Sequence, residues 1–203
     1  MAKTFFQLFG IEDGFAQVEF AGKTDMELFL AAAHNNNVEI PVSMWPSLRV
    51  QYYQNMYEDI LNRPGRIFPG VQDAIEMLAG HPEFHLALGT GNFQLTAYLK
   101  IAHFGLGCFF PVGGFGEHGP TRELLLQHAI SEAIQAYGSI RRTIVIGDTP
   151  LDIQGAHQNG LKCLSVATGS YSVASLWEHQ ADAVIETFED RQRLMEALYR
   201  ITE

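Results

Sequence analysis

The spacing of apolar and polar positions divides the chain into two stretches of different character. From residue 15 to residue 63 the apolar positions recur at helical intervals. Thr24 followed by Glu27 has the pattern of a capping box, and Met26, Phe29, Leu30 and Ala33 then share one helical face, which ends at Asn35-Asn36-Asn37. A second helix runs from Pro46 to about Leu61 on Leu48, Tyr52, Met56 and Ile60. Ahead of both, Lys3 to Gly10 is short and apolar, either a helix stopped by Gly10 or a strand.

After Arg63-Pro64-Gly65, short β-branched or apolar runs alternate with helical stripes. Strands are expected at Phe84–Leu88, Thr143–Ile146, Leu161–Val166 and Ala183–Ile185, with a further short apolar run at Cys108–Val112. Between them lie helices opened by Pro69-Gly70 (Val71, Ile75 and Leu78 inward), at Gln94–His103, and at Arg122–Tyr137 on Leu125, Ala129, Ala133 and Tyr137. Others start at Pro150, at Val173 and near Asp190. This alternation predicts an α/β fold, a doubly wound parallel sheet with a small α-helical cap. Residues 1–14 and 64–203 would form the core domain and residues 15–63 the cap.

Composition narrows the function classes. A chain of 203 residues with 47% hydrophobic positions can bury one substantial core. Its net charge of −10 and lack of a basic stripe argue against nucleic acid as a partner. No run is long enough to span a membrane. Cys108 and Cys163 are not in CxxC spacing and read as reduced core thiols of a cytoplasmic protein. An anionic substrate would have to be held by a metal or a local cluster of donors.

The chemistry concentrates where strands end. Thr143-Ile144-Val145-Ile146 runs into Gly147-Asp148-Thr149-Pro150, with Asp152 just beyond. Ligands of open α/β sheets bind beyond the carboxyl ends of the strands. Two carboxylates converging there repel unless a cation lies between them, and hard oxygen ligands suit Mg²⁺. A plainer reading stands beside it, in which Asp148 caps a turn and Asp152 is a first-turn acid favoured by the helix dipole. His103, His118, His128 and His157 have no metal-ligand spacing, and Trp45 with Tyr52, Tyr53 and Tyr57 reads as cap core.

Leu88-Gly89-Thr90-Gly91-Asn92 and Ile146-Gly147-Asp148-Thr149-Pro150-Leu151-Asp152 stand in order with helices between them. Together they resemble the strand-end signatures of the haloacid dehalogenase superfamily, nearest to its phosphoglycolate-phosphatase-like hydrolases with a helical cap. Phe20 to Asp25 and Phe68 to Val71 are similar to the cap and its exit. The resemblance implies a Rossmannoid core and a Mg²⁺-dependent phosphatase acting on a small phosphorylated metabolite through an aspartyl-phosphate. It implies that Thr90 bonds the phosphoryl group with the Gly91 and Asn92 amides nearby. Asp148 and Asp152 would hold the metal, and Arg122 would replace the family's usual lysine.

The family's nucleophile is the first Asp of a DxDGT sequence closing the first strand, and no DxD precedes Phe20. The expectation is that a strand, its catalytic turn and part of a helix, roughly 20–30 residues, are missing before Met1. A decayed copy at Gly10–Gly14 is the alternative. A central slot in the sheet would then lie open unless Thr4 to Phe9 or another chain fills it. The functions in competition are a phosphatase with negligible activity in this form and a non-catalytic phosphate- or metal-binding module.

Overall fold

The computed structural model describes residues 1–20, 22–63 and 65–202. Ala21 of the Phe20–Asp25 segment and Pro64 at the expected domain boundary lie outside the described residues.

Local chemistry sets most of the elements. Helix α1 (Ala2–Phe9) ends on Gly10 at φ 69°, so Lys3–Gly10 is helical and Thr4–Phe9 does not enter a sheet. Helix α2 (Asp25–Asn35) starts at the full Thr24–Glu27 capping box. Helix α3 (Trp45–Asn62) carries a proline in its first turn. The three helices pack Phe5, Phe29, Leu48 and Tyr52 into one apolar cluster, joined by Phe93 from the α/β half. Residues 1–14, expected with the core, therefore sit with the helical block.

Helix α4 (Val71–Ala79) leads to strand β1 (Leu88–Gly89), helix α5 (Gln94–His103) and strand β2 (Gly113–Gly114). Strand β1 is shorter than Phe84–Leu88, and Cys108–Val112 is not itself a strand. Helix α6 (Arg122–Tyr137) follows, then strand β3 (Ile144–Gly147), helix α7 (Pro150–Gln158) and strand β4 (Lys162–Val166). Helix α8 (Val173–Glu178), strand β5 (Ala183–Ile185) and helix α9 (Arg191–Arg200) complete the chain. Among the described residues no helix is long and apolar enough to cross a membrane.

All strand pairs are parallel. They form two sheets, β1–β2 and β3–β4–β5. The larger sheet is covered on both faces: Leu164 and Val166 pack with Ala74, Leu78 and Leu194 of α4 and α9, and Cys163 with Ile153 and Leu125 of α7 and α6. Cys163 is buried, whereas Cys108 is exposed and not the core thiol expected.

Among the described residues β1 and β3 are not paired with each other. The N–H groups of Leu88 and Thr90 point to β2, donating to Val112 and Gly114, so the Gly89 main chain between them faces away from β2. Ile146 of β3 is 38% exposed, unusual for an isoleucine in the middle of a parallel strand. Helix α6 spans this separation. Leu126 packs over Gly89, and Leu125 and Leu126 share a cluster with Val145 of β3.

The far end of the larger sheet is tied by Asp182. Its carboxylate accepts from Lys162 Nζ at 2.7 Å and from the Cys163 N–H at 2.9 Å, and pairs with His157 Nε2 at 3.0 Å. Burial pushes this carboxyl up, but the hydrogen bonds from Lys162, Cys163 and His157 outweigh it and hold it below the ordinary value. Asp182→Ala should cost about 1–3 kcal/mol at pH 7 in urea unfolding. A depressed folded pKa stabilises above the unfolded value and is lost as pH falls, so the gap to the wild type should close below about pH 4. A gap constant from pH 7 to pH 3 would assign the effect to packing instead.

Candidate active-site cleft

Two strand-end turns form the site. The first joins β1 to α5 through Thr90, Gly91 and Asn92. The Thr90 N–H donates to the Gly114 carbonyl at 3.0 Å, the last rung of the small sheet. Thr90 Oγ1 accepts from the Asn92 N–H at 3.2 Å, which leaves the hydroxyl proton of Thr90 to donate elsewhere. The Gly91 carbonyl accepts from the Asp25 N–H at 2.6 Å, and the Asn92 carbonyl from the Gly116 N–H at 2.8 Å.

Asn92, which the sequence places among the substrate donors, is turned inward. Its Nδ2 donates to Asp25 Oδ1 at 3.2 Å and its Oδ1 accepts from Lys100 Nζ at 2.9 Å. The amides opening α5 are occupied as well. Phe93 N–H donates to Asp25 Oδ2 at 2.8 Å, and Gln94 N–H to Glu117 Oε2 at 2.8 Å. Asp25 is 2% exposed, and burial raises its carboxyl above the ordinary value against the opposing pull of the Phe93 amide, Lys100 and Asn92. Burial likewise lowers the Lys100 ammonium.

The second turn joins β3 to α7. Thr149 is the N-cap, and its Oγ1 donates to Asp152 Oδ2 at 2.8 Å while the Thr149 N–H reaches the same oxygen at 3.1 Å. The other oxygen of Asp152 lies 3.2 Å from Arg122 Nε, a half-buried ion pair without hydrogen-bond geometry. Asp152 is thus both the first-turn acid of the plainer reading and a member of the charged cleft. Asp148 differs. Burial raises its carboxyl, the like charge of Asp152 raises it further, and its own amide and Arg122 offset this only in part. Gly169, just past β4, is the close neighbour of this carboxylate, which a side chain there would strike.

The cap reaches both turns. A Cβ on Gly91 would lie 3.0 Å from the Lys23 carbonyl and from Thr24 Cα, and one on Gly22 would strike Leu151 of α7. The loop Gly22–Thr24 therefore runs between the Thr90 turn and the start of α7. Arg122, Asp148 and Asp152 come together at the start of α7, and Gly91 of the Thr90 turn lies beneath this loop.

Among the described residues no group of three or more His, Cys, Asp and Glu side chains is placed to hold a metal. The donors present still fit Mg²⁺, which commonly takes one or two carboxylates and keeps its waters. Asp148 is a partly buried carboxylate beside a second one, with only its own amide as hydrogen-bond donor. The residues that sequence reasoning missed are Asp25 and Lys100. Lys100 lies two helical turns after Asn92 on α5, a weak signal, and Asp25 gave none beyond its place in a first turn.

A raised folded pKa means that ionised Asp148 opposes folding above that pKa and has no such effect below about pH 4. Asp148→Asn should therefore unfold at higher urea than the wild type at pH 7, by roughly a few tenths of a kcal/mol after solvent screening. The difference should vanish near pH 3. A variant less stable at pH 7 would mean that the carboxylate has a partner.

Residues 126–191, which contain the second turn, match a family model described as HAD-hydrolase-like. A phosphoglycolate phosphatase of Agrobacterium fabrum is 25% identical over 123 residues, 61% of this chain and 52% of that protein. The match thus spans about half the length of that relative. Among solved structures, a hydrolase from Pseudomonas syringae aligns with TM-score 0.62 and 18% identity, over 87% of this chain and 79% of that one. A predicted phosphoglycolate phosphatase from Haemophilus somnus aligns with TM-score 0.60 and 18% identity, over 83% and 74%. A haloacid dehalogenase-like protein from Streptococcus pneumoniae aligns with TM-score 0.59 and 18% identity, over 96% and 88%. At these identities the structures establish a shared fold. Over residues 126–191 the chain is similar to HAD-hydrolase-like proteins, and over most of its length it shares the fold of haloacid dehalogenase-like and phosphoglycolate-phosphatase-like structures.

Proposed function

We propose that this 203-residue chain binds the phosphoryl end of a small phosphorylated metabolite, together with Mg²⁺, and hydrolyses phosphomonoesters negligibly. One observation carries the reading. The turns after β1 and β3 carry groups suited to neutralising a phosphoryl group, yet among the described residues β1 and β3 are not paired and no strand bearing an attacking carboxylate joins them.

The roles follow from what each group has left to give. The Thr90 hydroxyl, its oxygen already accepting from Asn92, donates its proton to a phosphoryl oxygen. The Gly91 N–H is the neighbouring donor. Arg122, anchored at Asp152, supplies a fixed positive charge with its remaining N–H groups. Asp148 and Asp152 would hold Mg²⁺, which supplies charge neutralisation at the phosphoryl oxygens when bound. The loop at Lys23 restricts entry to small ligands. Losing a nucleophile costs several powers of ten in turnover and leaves what binding and electrostatics alone provide.

Calorimetry of the full chain with inorganic phosphate should show binding that strengthens when Mg²⁺ is present. Thr90→Val should weaken it about tenfold, the value of one hydrogen bond to a charged ligand. Asp148→Asn should remove the Mg²⁺ dependence. Hydrolysis of p-nitrophenyl phosphate should stay at background in all three proteins. Strong Mg²⁺-dependent turnover abolished by Asp148→Asn would reveal a nucleophile within this chain, and no phosphate binding at millimolar concentration would end the reading altogether.

A further inference from the structure

We propose that Asp25 of the cap and Lys100 of α5 are positioning residues that lock the Thr90–Asn92 turn from opposite sides. The idea rests on the phosphate reading for its consequence, though not for its geometry.

Asp25 spends its N–H and both carboxylate oxygens on this turn and the start of α5. Its N–H holds the Gly91 carbonyl, one carboxylate oxygen holds the Asn92 side chain, and the other takes the Phe93 N–H and lies 3.4 Å from Thr96 Oγ1. Lys100 closes the circuit through Asn92 Oδ1. Asn92 is thereby held by an acceptor at its nitrogen and a donor at its oxygen, which fixes which way its amide faces. With the Gly91 and Asn92 carbonyls both engaged, the peptide planes from Gly91 to Phe93 cannot rotate. The side-chain donor left by this arrangement is the Thr90 hydroxyl.

Such a network differs from an ordinary buried ion pair. Asp25 and Lys100 do not bond each other directly, and both act through Asn92. Neither reaches the cleft donors that would touch phosphate. Because Asp25 opens α2, the aim of the Thr90 turn depends on the cap being seated. The cap would then set phosphate affinity without contacting phosphate.

The test uses Asp25→Asn and Lys100→Gln in the full chain, with Glu196→Gln on α9 as a control. Amide hydrogen exchange at Asn92 and Phe93 should rise at least tenfold in both variants, while Leu164 and Val166 of β4 stay as protected as in the wild type. The dissociation constant for inorganic phosphate with Mg²⁺ should rise at least fivefold in each variant. The double variant should be no weaker than the worse single one, because both act through one side chain. Should Asp25→Asn not fold, Lys100→Gln decides from the other side of Asn92. A folded variant that keeps both Phe93 protection and wild-type phosphate affinity overturns the proposal, as does strict additivity. If the wild type takes up no phosphate, the site reading fails, and the exchange rates still decide whether these residues hold the turn.

Discussion

The close approach of α6 to both sheets is the constraint on which the site depends, and it exists because two facing positions carry no side chain. Any Cβ on Gly114 of β2 would enter the main chain of α6 at Leu125. One on Gly155 of α7 would sit 2.6 Å from Arg122 Cγ. With both absent, α6 lies against the small sheet on one side and α7 on the other. Its first residue, Arg122, then comes to rest beside Asp152. The stem of the arginine fills the space over Gly155 while its charge stays at the cleft, so packing and charge placement are one event. Leu125 and Leu126 bury the same helix against Val145 and Gly89, joining strands that do not pair.

That arrangement explains why some of the chain could be read in advance and some could not. Helices closed by their own side chains were legible. Thr24 with Glu27 is short-range chemistry, and α2 begins where those residues say. The second strand-end motif was legible for the same reason, since Thr149, Pro150 and Asp152 make a helix start among themselves. The length of β1 was not. A strand survives only where a neighbour pairs with it, and β1 pairs over two residues rather than along Phe84–Leu88. Residues 1–14 went to the helical block because Phe5 finds Phe9, Phe15 and the α2 side chains there, a packing fact invisible to periodicity.

The site shows the same division. Thr90, Asp148, Asp152 and Arg122 could be nominated by likeness to a family, and of these Arg122, Asp148 and Asp152 lie beside one another. Their partners could not. Asp25 reads in isolation as a helix-dipole acid, yet its carboxylate bonds residues 67 and 68 positions away. Asn92 reads as a donor to substrate, yet its side-chain amide is spent on buried Asp25 and its N–H on the Thr90 hydroxyl. Hydrogen bonds of such separation depend on how the cap sits on the core, and no local pattern encodes that.

Charge bookkeeping at the cleft sets an order on the proposed binding. Asp148 and Asp152 contribute two carboxylates there and Arg122 one cation that already has a partner, while Asp25 and Lys100 are tied to Asn92. Asp25 is satisfied by its hydrogen bonds, and Asp152 is shared between Thr149 and Arg122. The imbalance settles on Asp148, in a chain whose formal net charge is −10. Under the proposed binding, a phosphoryl group entering that field would be repelled by Asp148. Placing a divalent cation at Asp148 reverses the sign of the local field, and by linkage the bound anion strengthens the cation's hold in return. Arg122 cannot do this alone, because moving toward the ligand would strip Asp152 of its counter-charge and leave two uncompensated acids at the start of α7.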